Sequence, residues 1–241
     1  MKKTTALFLL SVIFCSIIFG QNPKPTDSKT TEAPKTSETG KPEMTVADVE
    51  AFLDGIVPAQ IAQNDIAGAT ISVVKDGKLL FAKGYGYSDV KGKKPVSPET
   101  TLFRPGSVSK LFTWTAVMQL VEQGKLDLNK DVNEYLDFKI PEAFGKPITL
   151  TNIMTHTPGF EEQIKDLFTL NQESPNLGEY LKTHIPARIY PPGTVPAYSN
   201  YATALAGYIV ERVSGKPFND YIADNIFKPL GMTHSTFAQP L

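Results

Sequence analysis

Ser107 and Lys110 stand three positions apart in the stretch Phe103-Arg104-Pro105-Gly106-Ser107-Val108-Ser109-Lys110, which leads into a long apolar segment. At the start of a helix this spacing puts both side chains on one face, within reach of each other. A serine hydroxyl is a weak nucleophile until something takes its proton. A desolvated lysine amine can do that if burial lowers its pKa. The helix N-terminus adds backbone N–H groups that favour a developing negative charge. Taken alone, Ser-x-x-Lys is common by chance, and the pair reads first as a helix cap and a surface lysine.

Tyr198-Ser199-Asn200 follows the turn-rich stretch Pro191 to Pro196 and precedes an apolar helical pattern. A tyrosine beside a buried lysine can serve as phenolate or proton relay. An asparagine can grip a substrate amide with both a donor and an acceptor. The plainer reading is a packed turn tyrosine and an asparagine that caps the next helix. No G-x-S-x-G surrounds any serine, so a Ser-His-Asp hydrolase built on a nucleophile elbow fits poorly. Arg104, His184 and His234 read as structural or surface residues, and Trp114, the single tryptophan, as packing within a helix.

These residues need elements to hold them. Thr45 followed by Asp48 and Glu50 marks a helix start, with Val46, Val49, Phe52, Leu53 and Ile56 at helical spacing. Two strand-like runs, 68–75 and 78–87, flank Asp76-Gly77, a pair suited to a tight hairpin turn. Residues 88–100, punctuated by Gly92, Pro95 and Pro98, read as a loop. A helix is expected from Ser107 to Gln123, stopped by Gly124, with apolar residues on more than one stripe and hence buried. Shorter helical stretches are expected at about 131–136, 149–155 and 176–184, and further helices at about 199–214 and 218–228. A hairpin followed by a mainly helical lobe is an α+β class, a mixed α/β sandwich.

Between the two candidate clusters lies Thr151-Asn152-Ile153-Met154-Thr155-His156-Thr157-Pro158-Gly159-Phe160. With Ser107-x-x-Lys110 before it and Tyr198-Ser199-Asn200 after it, the sequence closely resembles the β-lactamase-related serine hydrolases. That group includes class C β-lactamases, serine D-alanyl-D-alanine peptidases and related esterases. The resemblance covers about residues 45–241, and Val121 to Leu128 and Pro229-Leu230-Gly231-Met232 add smaller matches. It implies a β-lactamase/transpeptidase-like fold in which Ser107 is the acylated nucleophile and Lys110 its proton acceptor. Tyr198 would assist that transfer and protonate the leaving group, and Asn200 would orient the substrate. The Ser107 backbone N–H would supply half of an oxyanion hole, while the histidine matching His156 belongs to a structural turn. No metal and no cofactor is implied, and the expected state is a monomer.

The family pattern has a third motif, Lys or His followed by Thr or Ser and Gly, on a strand after the helical lobe. No such triplet follows Asn200; His234-Ser235-Thr236 lacks the glycine. The expectation is therefore a fragment or shortened form of a longer protein, its C-terminal strands missing and its hairpin left with an open edge.

Composition sets the outer bounds. The 241 residues carry 24 Lys+Arg against 25 Asp+Glu, a formal charge of −1, which gives no reason to expect nucleic acid or an acidic membrane surface as partner. A single cysteine excludes a disulfide framework, and with 3 scattered histidines it excludes a thiolate-rich zinc site. Lys2 and Lys3, the apolar run 6–19 and Gly20 form the pattern of a secretory signal peptide over residues 1–20. Retention as a membrane anchor and lipidation at Cys15 are the alternatives. Residues 21–43, rich in Pro, Thr, Ser, Lys and Glu, read as a disordered tether before a single domain over 44–241. Two functions are then open. One is an exported hydrolase of the periplasm, cell envelope or exterior, acting through Ser107 on a D-alanyl peptide, a β-lactam or a small ester. The other is a non-catalytic envelope protein that uses the same groove to bind peptidoglycan or a protein partner.

Overall fold

The computed structural model describes residues 43–164 and 176–238. The expected export signal, Cys15 and all but the last residue of the tether lie outside them. Helix α1, Val46–Gln63, opens with the capping box anticipated at Thr45. The Thr45 hydroxyl accepts from the Asp48 N–H, and the Asp48 carboxylate accepts from the Thr45 N–H, each at 3.2 Å. Strands β1, Gly68–Lys75, and β2, Lys78–Asp89, pair antiparallel, with a register shift between Val73 and Val74. Their connection holds Asp76 at φ 50° and Gly77 at φ 72°, the left-handed pair that a two-residue hairpin turn requires.

The stretch 88–100 is not wholly a loop. Strand β2 runs two residues beyond its expected end, and a short β3, Lys94–Pro95, pairs with it, making a three-stranded meander in the order β1-β2-β3. Pro95 sits where proline is tolerated, on an edge. Helix α1 packs along β2, where Lys83 Nζ reaches Glu50 and Asp54 at 2.7 and 2.8 Å and the Tyr85 hydroxyl donates to Asp54 at 3.0 Å. Among the described residues, β1 pairs on one side only.

The helical lobe is built round two helices, α2, Lys110–Glu122, and α5, Asn200–Ser214. Helices α3, Leu150–Met154, α4, Leu177–Thr183, and α6, Phe218–Ile222, pack against α5. Residues 223–227 continue α6 as one wide turn, whose Asn225 carbonyl accepts from Gln119 Nε2 of α2 at 3.1 Å. Ala116, Val117, Leu120, Leu150, Ile153, Phe160, Leu181, Leu205 and Ile209 have no exposed surface and form the centre of the core. The all-round burial expected of α2 is corrected. Only Thr113, Ala116, Val117 and Leu120 are buried, while Leu111 is 62% and Met118 43% exposed. The reason is that α2 uses one face against α5, and no described element covers the other. The class is α+β, as expected.

Candidate active site

Gly106 begins the site. It takes φ 56°, a backbone state that costs glycine little and other residues more. Residues 106–109 then form a tight 3-10 turn that runs straight into α2, so Ser107 stands one turn before the helix proper, with Lys110 as its first residue. The two meet as their spacing predicted, with Lys110 Nζ 3.1 Å from Ser107 Oγ. Ser107 is exposed and Lys110 half-buried. Both line an apolar-walled cavity of about 440 Å³ shared with Leu177, Ala204, Phe218 and Phe237.

The second cluster arrives from the N-terminus of α5. Ser199, not Asn200, caps that helix, its hydroxyl accepting from the Ala202 N–H at 3.1 Å. Ser199 is fully buried, and both of its neighbours reach Lys110. The Lys110 amine donates to Asn200 Oδ1 at 2.7 Å and lies 4.7 Å from the centre of the Tyr198 ring. The neighbouring Lys110 amine and then the Ser107 hydroxyl hold the Tyr198 phenol below the ordinary tyrosine range. All four candidates, Ser107, Lys110, Tyr198 and Asn200, thus converge on one point.

His156 supports this arrangement from behind. It adopts φ 54° in the turn after α3, and its carbonyl accepts from the Ala197 N–H at 2.7 Å. Its Nδ1 accepts from the Ser199 N–H at 3.3 Å, and its ring stacks on Tyr198 with centroids 4.3 Å apart. Trp114 of α2 meets the imidazole edge-on at 6.3 Å. Those contacts make His156 a support for Tyr198, in keeping with the structural turn expected of it. Burial, reinforced by the charge of Lys110, pushes its pKa below the usual value of about 6.5.

That depression links stability to pH. With the folded pKa below the unfolded one, the unfolded chain binds more protons, so this contribution to stability is present above about pH 6.5 and is lost as pH falls through the folded pKa. Unfolding free energy measured from pH 7.5 down to 5.5 should fall, and His156→Gln should blunt that fall, since a glutamine side chain does not titrate. An identical fall in both proteins would show that His156 plays no part.

Glu162 carries no signal in the sequence strong enough to single it out, yet it belongs to the site. It sits just beyond Phe160, half-buried, with Oε2 accepting from the Asn200 backbone N–H at 2.9 Å and Oε1 from Asn200 Nδ2 at 2.6 Å. The one available hint is a Glu161-Glu162 pair directly after a motif with no other carboxylate. Asn200 consequently has both ends engaged, Oδ1 by Lys110 and Nδ2 by Glu162, and keeps one Nδ2 hydrogen free of these partners. Among the other polar residues, His184 stacks on Tyr180 at the end of α4, consistent with a surface role.

Residues 53–241 match the Beta-lactamase family model. A protein called flp from Staphylococcus aureus is 32% identical over 195 residues, a stretch that is 80% of this chain and 39% of that protein. A beta-lactamase from Pseudomonas fluorescens is 32% identical over 196 residues, 80% of this chain and 52% of its own length. The octameric penicillin-binding protein homologue from Pyrococcus abyssi superposes with a TM-score of 0.64 at 32% identity, over 79% of this chain and 44% of that one. The chain thus spans between about two fifths and one half of the relatives it matches. Ser107-x-x-Lys110 at the head of α2, met by Tyr198 and Asn200 at the head of α5, lies inside the matched region, and the chain belongs to the beta-lactamase family.

Proposed function

We propose that this chain carries the acylating machinery of an exported serine hydrolase that cleaves amide or ester bonds. The observation that carries this reading is the 3.1 Å approach of Lys110 Nζ to Ser107 Oγ, with the centre of the Tyr198 ring 4.7 Å from the same amine. Lys110, with Tyr198 as relay, would take the hydroxyl proton as Oγ attacks the substrate carbonyl carbon. The tetrahedral intermediate would then collapse, breaking the bond to the leaving amine or alcohol, which receives the proton back through Tyr198. Water would cleave the resulting ester at Ser107 by the same groups in reverse. The candidate substrates are a D-alanyl peptide of the cell wall, a β-lactam and a small ester. Export rests on the leader-like first twenty residues, and a single chain is the proposed functional unit.

The test is covalent trapping. The full chain is incubated with a fluorophosphonate, a fluorescent penicillin or an activated ester, and the adduct is located by mass spectrometry. The expected result is one adduct on the peptide containing Ser107, and none in Ser107→Ala. Labelling that survives Ser107→Ala would overturn the assignment. No labelling of the unmodified chain, together with retained binding to peptidoglycan, would favour the groove-binding alternative.

A further inference from the structure

We propose that Glu162 is a positioning residue of this site: its carboxylate locks the Asn200 side-chain amide so that Oδ1 faces Lys110. The inference rests on the hydrolase reading only for its kinetic consequence, since the geometry stands without it. An asparagine amide has a donor end and an acceptor end, and a half-turn about its last bond exchanges them. A carboxylate can only accept. With Glu162 Oε1 at 2.6 Å, the end facing it must be Nδ2, and the opposite end, 2.7 Å from Lys110 Nζ, must then be Oδ1. The reversed amide would set oxygen against oxygen at Glu162 and amide hydrogens against the lysine amine.

The lock is two-pointed. Glu162 Oε2 holds the Asn200 backbone N–H at 2.9 Å while Oε1 holds the side chain, so backbone and amide are fixed by one group. Charge-assisted hydrogen bonds of this kind are about twice as strong as neutral ones. Three consequences reach the chemistry. Oδ1 draws the Lys110 amine to the place where it meets Ser107 Oγ. One Nδ2 proton remains for a substrate, and Glu162 sets its direction. The carboxylate also acts on the rest of the cluster, opposing the lowering of both His156 and Tyr198.

Glu162→Gln is the informative change, because it keeps the shape and one acceptor but cannot accept at both points. Acylation of Ser107 by an activated ester, followed in single turnover, should slow by about 10–100-fold, as expected when a catalytic group is misplaced by up to an ångström. The loss should fall on the rate at saturation more than on the apparent affinity. In an Asn200→Ala background the same change should cost almost nothing, because there is no amide left to lock; equal losses in both backgrounds would overturn the proposal. A second readout needs no turnover. In the unmodified chain, labelled with ¹⁵N and ¹³C, a through-hydrogen-bond coupling should link Asn200 Nδ2 to the Glu162 carboxyl carbon. Its absence, with the Asn200 side-chain signals unchanged by Glu162→Gln, would refute the lock. If Ser107 proves unreactive while the coupling is present, the hydrolase reading fails and the lock survives.

Discussion

Replacing Lys110 by methionine is expected to slow acylation of Ser107 by about 10²–10⁴-fold, the usual worth of a positioned general base, while the protein stays folded. Methionine keeps the unbranched stem that runs from the start of α2 past the Tyr198 ring, and removes only the amine. That amine is the one group in contact with all three partners, at 3.1 Å from Ser107 Oγ, 2.7 Å from Asn200 Oδ1 and 4.7 Å from the Tyr198 ring centre. Its loss leaves the serine proton with Tyr198 alone and releases the phenol from the cation that favours its ionised form. Arginine would not rescue, because a guanidinium does not give up its proton in the accessible pH range and so cannot act as base. The measurement is the single-turnover labelling rate with a fluorophosphonate, set beside the thermal midpoint of the same sample. A loss below tenfold with an unchanged midpoint would move the role of proton acceptor from Lys110 to Tyr198.

What could be read in advance divides by the range of the interactions concerned. The pairing of Ser107 with Lys110 was legible because it depends on one turn of backbone. The same holds for the capping box of Thr45 and Asp48, and for the Asp76-Gly77 hairpin. The meeting of Lys110 with Asn200 spans ninety residues and came from motif order, not from any local rule. Three things were hidden. The pairing of β3 with β2 lies in a polar stretch containing prolines, where local propensity argues for a loop and only the neighbouring strand says otherwise. The open face of α2 could not be foreseen, since Leu111 and Met118 are as apolar as the buried Val117 and Leu120, and burial depends on what packs there. Glu162 was invisible as a partner because a glutamate beside another glutamate looks like a solvated surface pair until the fold brings Asn200 to it.

Gly159→Ala should be the most damaging single change in the loops that carry the site, costing about 3–5 kcal/mol, at the upper end of what point mutations do. Gly159 has φ 82°, and a Cβ there would overlap the Tyr190 carbonyl oxygen and lie 2.8 Å from its carbon. Both are backbone atoms, so no side chain can swing aside. The neighbouring backbone is stitched together at that point. Ile189 N–H donates to the Gly159 carbonyl at 2.8 Å, Glu161 N–H to Ala187 at 2.8 Å and Gly193 N–H to Thr157 at 2.8 Å. Separating the two segments would therefore loosen His156 and Glu162 on one side and Tyr198 on the other, and with them the hold on Lys110. Gly145 provides the comparison. It has φ 62°, but an added methyl group would meet nothing within 4 Å, so Gly145→Ala bears only the conformational cost, about 1 kcal/mol. In a domain of this size the first change should lower the thermal midpoint by roughly 10 °C and the second by only a few degrees. Acylation of Ser107 should fall in the first protein even well below its midpoint, and stay near the parent value in the second. Equal midpoints for the two variants would mean that the 157–161 turn and the 187–193 segment are not held in the close contact on which the site depends.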